Sequence, residues 1–262
     1  MTASECALKV SASVCPVAEV PFSFCQKLDV ALPTLKALGY DGVELLLKRP
    51  EDIVPEELER LLNRHEIELS AIGTGLATTD GLYLGSHEER TRQKAVGRVL
   101  DFSKMAEHFD CSLIVGSIKG GVVPLPSLES LTKSMDELRE VRLTIEPLNR
   151  YESAIVNKAS QALELIKKKN LDKSLILLDT FHMNIEEISI ADTILNVGKK
   201  LGYFHIADSN RRAPGDGHIQ FSEVFRALKT VHYDGYVSAE IVQEPNSENA
   251  LRKTIEFVRA MD

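Results

Sequence analysis

Tryptophan is absent from this chain, and cysteine is scarce: Cys6, Cys15, Cys25 and Cys111 are the only four, with no CxxC pair among them. So few cysteines in 262 residues cannot form a disulfide framework, and reduced, mostly buried thiols are expected. No apolar run approaches the roughly 18 residues that suggest a spanning helix. Nor does a basic region followed by an apolar block open the chain. The expectation is a soluble, cytoplasmic protein with no membrane partner. Positive charge is also in deficit, with 31 Lys and Arg against 39 Asp and Glu, a formal −8 at pH 7. A surface built to neutralise phosphates needs clustered Lys and Arg, so nucleic acid is a poor fit. Finally, no GxGxxG follows the first apolar run, and neither "GTG" at Gly73–Gly75 nor "KGG" at Lys119–Gly121 supplies it. That counts against an open, doubly wound dinucleotide-binding sheet.

What the chain does have is alternation. Short runs rich in Val, Ile and Leu are separated by longer amphipathic stretches, the pattern of a parallel sheet covered by helices. Eight runs read as strands: Leu8 to Ser13, Gly42 to Leu47, Leu69 to Gly73, Leu113 to Gly116, Leu143 to Glu146, Leu175 to Asp179, Tyr203 to Ala207 and Tyr236 to Ile241. A (β/α)8 barrel takes about 250 residues, so the expected fold is α/β, a single (β/α)8 (TIM) barrel with one domain over residues 1–262. Pro55 to Arg64 reads as a helix, with Pro55 at its first position and Leu58, Leu61 and Leu62 on one face. "LKALGYDGVE" at Leu35–Glu44 is echoed by "LKTVHYDGYV" at Leu228–Val237, each reading as helix end, Asp-Gly turn and strand. "IKKKN" at Ile166–Asn170 is a basic helix end that complements the helix dipole.

Four successive strands carry a metal-ligand residue type at or near their C-terminal ends: Glu146, Asp179, His205 and Glu240. Each lies about one βα unit beyond the last, so in a closed barrel the four side chains converge at the C-terminal mouth, where such barrels place their sites. An apolar strand ending in a carboxylate bears a desolvation cost that a partner or a metal must offset. Three carboxylates and one imidazole form a hard, oxygen-rich set suited to one divalent ion, manganese(II) first, with magnesium or cobalt(II) as alternatives, rather than to a structural zinc. Glu152, His182 and Arg211 fall in the loops above the same mouth, placed to hydrogen-bond a polar substrate. Each alone reads equally well as a surface charge. Glu44, ending the second strand, is a weaker candidate for a hydrogen bond within the mouth. Lys119 reads as a solvated loop lysine, or else as a partner for a substrate carboxylate or phosphate. His65 and His108 fall at helix ends. His218 either orients Arg211 or ties down its loop.

"IEPLNRYE", "DTFHMNIEE", "HIADSNRRAPGDGH" and "SAEI" together resemble the sugar isomerase/epimerase barrels of the xylose-isomerase-like superfamily, most closely the D-tagatose 3-epimerase and D-psicose 3-epimerase group. The resemblance implies a metal held by Glu146, Asp179, His205 and Glu240, with Glu146 and Glu240 as catalytic acid/base pair. It implies substrate contacts from Glu152, His182 and Arg211, and a metal-dependent inversion of carbon 3 of a ketose or keto-sugar acid through a cis-enediolate. It also implies a homo-oligomer, dimer or tetramer. Two other readings stay open: an aldose–ketose isomerase of the hydroxypyruvate or xylose isomerase kind, using the same metal end, and, more remotely, a nuclease like endonuclease IV. The resemblance is thinner before Glu146. Relatives often surround the substrate with aromatic side chains, whereas the loop after the first strand begins Ser13, Val14, Cys15, Pro16, which leaves the distal end of the substrate undefined.

Overall fold

Each of the eight apolar runs becomes a strand in the computed structural model, which describes residues 8–122 and 124–261. The strands are β1 (Lys9–Val14), β2 (Gly42–Leu46), β3 (Glu68–Gly73), β4 (Ser112–Val115), β5 (Leu143–Ile145), β6 (Leu175–Asp179), β7 (Leu201–Ile206) and β8 (Tyr236–Ala239). All pairings are parallel, and β8 returns to β1 to close the barrel in sequence order. Between and after them run α1 (Leu28–Leu38), α2 (Pro55–His65), α3 (Glu89–His108), α4 (Leu128–Glu137), α5 (Ala159–Lys169), α6 (Thr180–Glu186), α7 (Ile190–Val197), α8 (Phe221–Thr230) and α9 (Ser247–Met261). This is the expected (β/α)8 barrel. No helix among the described residues is long and apolar enough to cross a membrane.

Local chemistry accounts for the element ends. α2 starts at Pro55, carries Glu56 and Glu57 in its first turn and Arg64 and His65 in its last, and buries Leu58 and Leu62; this charge order complements the helix dipole. The three lysines closing α5 do the same, before Asn170 turns left-handed at φ 51°. The echoed segments share a device as well as letters. After α1, Gly39 turns the chain at φ 93°, and after α8 the equivalent turn is made by His232 at φ 54°. Glycine adopts that region without steric cost, whereas His232 does so against it.

Alternation along the strands decides which side chains reach the site. In β6, Ile176 and Leu178 join the large core between sheet and helices; in β7, Phe204 and Ile206 do; in β4, Leu113 and Val115; in β5, Leu143 and Ile145. Their neighbours face the other way. Ala71, Ile114, Leu177 and Tyr203 form a separate small cluster. Side chains of a strand point to opposite faces with period two, so the parity that places Leu177 and Tyr203 inside the barrel also places Asp179 and His205 there. By the same count Glu146 follows Thr144 and Glu240 follows Ser238, while Glu44 lies between Val43 and Leu45, which are in the outer core. Fully burying each Val, Leu or Ile contributes roughly 1.5–3 kcal/mol. The outer-face residues thus lock the register that forces the carboxylates inward.

Cys15 and Cys111 are buried and Cys25 is half-buried, all three as free thiols. Burial pushes the Cys111 thiol up to about 12. Cys6 lies outside the described residues.

Candidate active site and metal centre

The site lies at the C-terminal end of the strands. Glu146 is the first residue beyond β5, and its N–H still donates to Val115 O at 3.2 Å, so the ladder holds its backbone. Asp179 ends β6 and caps α6: its Oδ1 accepts from the N–H groups of Phe181 (2.6 Å) and His182 (3.3 Å). His205 lies within β7, and Glu240 follows β8 directly. All four are buried, and one ligand atom from each falls within 4.8 Å of every other. His205 Nδ1 stands 3.5 Å from Glu146 Oε1, 3.6 Å from Asp179 Oδ2 and 3.8 Å from Glu240 Oε2.

Three of these converging atoms, Glu146 Oε1, Asp179 Oδ2 and His205 Nδ1, are buried without any hydrogen-bond partner. Leaving a buried polar atom unpaired costs about 1–3 kcal/mol, more for a charged group. A single cation placed among them would satisfy all three together. The second ring nitrogen of His205 shows which of its atoms is free to ligate. Nε2 meets Glu44 Oε2 at 2.8 Å, and Ser238 Oγ donates to the same oxygen at 2.9 Å. A carboxylate only accepts, so Nε2 keeps its proton and Nδ1 is the nitrogen left to ligate, the usual outer support of a metal-bound histidine. The expected hydrogen bond of Glu44 within the mouth is this one.

Charge inside the cluster follows from burial and neighbours. Burial pushes the Glu240 carboxyl up to about 8, helped by Glu146 and Asp179 and opposed by Arg211 and His205. Burial also works against ionised Asp179, but His182 and His205 outweigh it and hold that carboxyl well below its ordinary range. Glu146 shifts the same way under the same neighbours. For His205, burial favours the neutral ring, yet Glu44 and Glu240 carry its pKa well above the ordinary value.

Above the cluster, two of the three expected substrate contacts, Arg211 and Glu152, are joined. Arg211 donates through Nη2 to Glu240 Oε2 at 2.6 Å and through Nη1 to Glu152 Oε1 at 2.9 Å. Its guanidinium carbon lies 3.8 Å from the centre of the Phe22 ring and 4.9 Å from that of Phe181. His182 is placed differently from expectation: it sits in the first turn of α6, buried, with Nε2 3.8 Å from Glu146 Oε1. Glu152, His182, Arg211, Glu146, His205 and Glu240 all line one cavity.

Lys119 corrects the sequence reading. It is fully buried, and its ammonium donates to the carbonyls of Gly116 (2.8 Å), Val115 (3.4 Å) and Glu146. It therefore staples the ends of β4 and β5 and is no loop lysine waiting for a substrate anion. His65 and His108 close α2 and α3 as expected, and His218 ties the loop down by donating its backbone N–H to Ser209 Oγ. Asn149, Phe22 and Phe181 are site residues that the sequence reading passed over. Asn149 stands inside the "IEPLNRYE" motif, which is a usable signal. Phe22 lies in the loop between β1 and α1, where neither periodicity nor motif marks it.

Fold and site together define a (β/α)8 barrel whose mouth carries a buried cluster of three carboxylates and one histidine with the donor set to hold one metal ion. Comparison with known proteins narrows this: the family described as xylose isomerase-like TIM barrel matches residues 32–261, and the chain belongs to that family. It is 30% identical to an L-ribulose 3-epimerase of Methylomonas sp. over 234 residues, covering 81% of this chain and 79% of the relative. It is 28% identical to the 3-dehydro-D-guloside 4-epimerase of Escherichia coli over 253 residues, covering 86% and 91%. The fold superimposes on a crystal structure of D-allulose 3-epimerase from Methylomonas sp. with a TM-score of 0.83 at 23% identity, covering 98% of both chains.

Proposed function

We propose that this protein is an isomerase that inverts carbon 3 of a ketose, with Glu146 and Glu240 as the acid/base pair and a divalent ion, manganese(II) first, held by Glu146, Asp179, His205 and Glu240. The observation that carries the reading is that two carboxylates enter one buried cluster from different strands. Glu146 comes from β5 and Glu240 from β8, 3.5 and 3.8 Å from the same His205 nitrogen. Inversion requires a proton to leave one face of a carbon and another to arrive on the opposite face, so one base is insufficient. The names of the relatives, ketose 3-epimerases among them, support the same reading.

A C–H bond beside a carbonyl is barely acidic, so the negative charge that builds on the carbonyl oxygen must be stabilised. When bound, the divalent ion supplies Lewis-acid stabilisation of that charge. The chain's own groups do the rest. Arg211 holds Glu240 in place through Nη2 and Glu152 through Nη1, and His182 faces the cavity beside Glu146. Glu152, His182 and Arg211 are assigned to the substrate's hydroxyl and carbonyl oxygens.

A neutral ketose fits this cavity better than a keto-sugar acid. Arg211 is the one Lys or Arg lining it among the described residues, and it is already paired with two glutamates. The endonuclease reading needs ligands for several zinc ions, whereas the described residues contain one cluster of four. The deciding experiment is proton NMR of a ketose panel incubated in deuterium oxide with enzyme and manganese(II). Deuterium at carbon 3 with appearance of the epimer is expected. Exchange at carbon 1, or a new aldose, would replace the epimerase by an aldose–ketose isomerase.

A further inference from the structure

We propose that Asn149 is a positioning residue: it fixes the His182 ring in the tautomer that presents an Nε2–H donor to the active-site cavity. The catalytic consequence rests on the ketose epimerase reading; the tautomer itself does not.

The argument is a donor count at one atom. His182 Nδ1 faces two nitrogens of Asn149, the backbone N at 3.3 Å and the side-chain Nδ2 at 2.8 Å. A backbone N–H only donates. The side-chain amide is also fixed in orientation, because Asn149 Oδ1 accepts the backbone N–H of Tyr151 at 2.9 Å, leaving Nδ2 toward the ring. The second Nδ2 proton goes to Glu152 Oε1 at 3.0 Å. Every polar group of this buried side chain is therefore used. With two donors aimed at it, Nδ1 must offer its lone pair, and the ring N–H is at Nε2.

Nε2 itself is buried and has no hydrogen-bond partner, lying 3.8 Å from Glu146 Oε1 and 4.0 Å from Asp179 Oδ2. A donor kept unpaired and aimed beside the acid/base pair is what an oxygen gaining negative charge requires. The two histidines thus present opposite chemistry to one cavity. Glu44, an acceptor, leaves His205 Nδ1 inward as the ligating nitrogen, and Asn149, a donor, leaves His182 with an N–H inward. Through Glu152, Asn149 also reaches Arg211, so one amide keeps the three substrate-contact residues in register.

The test is long-range proton–nitrogen NMR of the His-labelled whole protein loaded with diamagnetic magnesium, which reads ring tautomers directly. His182 is expected with Nε2 protonated and Nδ1 bare. In Asn149→Asp the amide donor becomes an acceptor, so the His182 nitrogen resonances should move toward a protonated Nδ1. The kcat should fall by about 10- to 100-fold with a smaller change in KM, the range typical of lost outer support. A wild-type His182 protonated at Nδ1 overturns the proposal, and so does an Asn149→Asp variant with unchanged His182 resonances. The wild-type spectrum decides the matter even where the variant does not fold. An Nε2-protonated His182 in a protein that exchanges no ketose hydrogen supports the tautomer lock and overturns the epimerase reading instead.

Discussion

Arg211 donates to Glu240 Oε2 across 2.6 Å from a backbone held in the left-handed region at φ 61°. That conformation costs a side-chain-bearing residue about 1 kcal/mol or more, and it persists because the loop is stitched on both sides. Its N–H donates to Asp208 O at 2.8 Å, and its carbonyl accepts from Val242 N at 2.7 Å, two residues beyond Glu240. The guanidinium and the carboxylate are thus presented to each other by paired loops. Arg211→Lys keeps the charge but loses the fork and the packing against Phe22 and Phe181. A fall in kcat/KM of about 100-fold is expected for this variant, measured with the best substrate of the ketose panel; an unchanged value would remove Arg211 from the substrate site.

Glu240→Gln leaves a side chain of the same shape and removes a base. Turnover should drop by about 10²–10⁴-fold while the circular dichroism spectrum stays that of the wild type. Full activity in this variant would exclude Glu240 from the acid/base pair.

Glu44→Leu takes away the acceptor that keeps the His205 proton on Nε2, whereas Glu44→Gln retains an acceptor oxygen. Manganese affinity by titration calorimetry should weaken about 10- to 100-fold in the first variant and clearly less in the second. Equal losses in both would show that the negative charge, and not the tautomer, is what Glu44 contributes.

Metal binding should release protons at pH 7. Without the ion, burial holds the Glu240 carboxyl at about 8, above its ordinary 4.5, and its carboxylate neighbours hold His205 well above 6.5. Both groups bind protons more tightly folded than unfolded, so the stability they contribute is present below those ordinary values. It is lost as pH rises through the folded ones, for Glu240 at about 8. The metal-free protein should therefore melt at a lower temperature at pH 9 than at pH 6, while the ligand set prefers metal to protons as pH rises. Calorimetry in two buffers of different ionisation heat checks the release; binding heats independent of buffer would contradict it.

Gly116 faces Glu146 so closely that an added Cβ would collide with Glu146 Oε2. Gly116→Ala must displace that carboxylate, and both metal affinity and turnover are expected to fall by about tenfold or more.

The order of strands and helices was legible from the chain alone, because burial on both faces of a parallel strand writes itself as a short apolar run and a covering helix as a 3.6-residue stripe. The four cluster residues were legible for a related reason: a Glu, Asp or His ending such a run stands out against its apolar neighbours, and one βα unit between successive members brings them to one end of a barrel. Hydrogen-bond partners across the mouth were not. Lys119 looks like a loop lysine in "GSIKGG", yet the turn after β4 folds its ammonium back onto three carbonyls, one of them just beyond the next strand. The roles of Asn149 and Glu44 depend on which histidine nitrogen each faces, and Phe22 reaches Arg211 from a loop on the far side of the sequence. Strand patterning is a property of neighbours in the chain, carried by period and burial. Tautomers, buried cations and stacked rings depend on pairs of atoms that only closure of the barrel brings together.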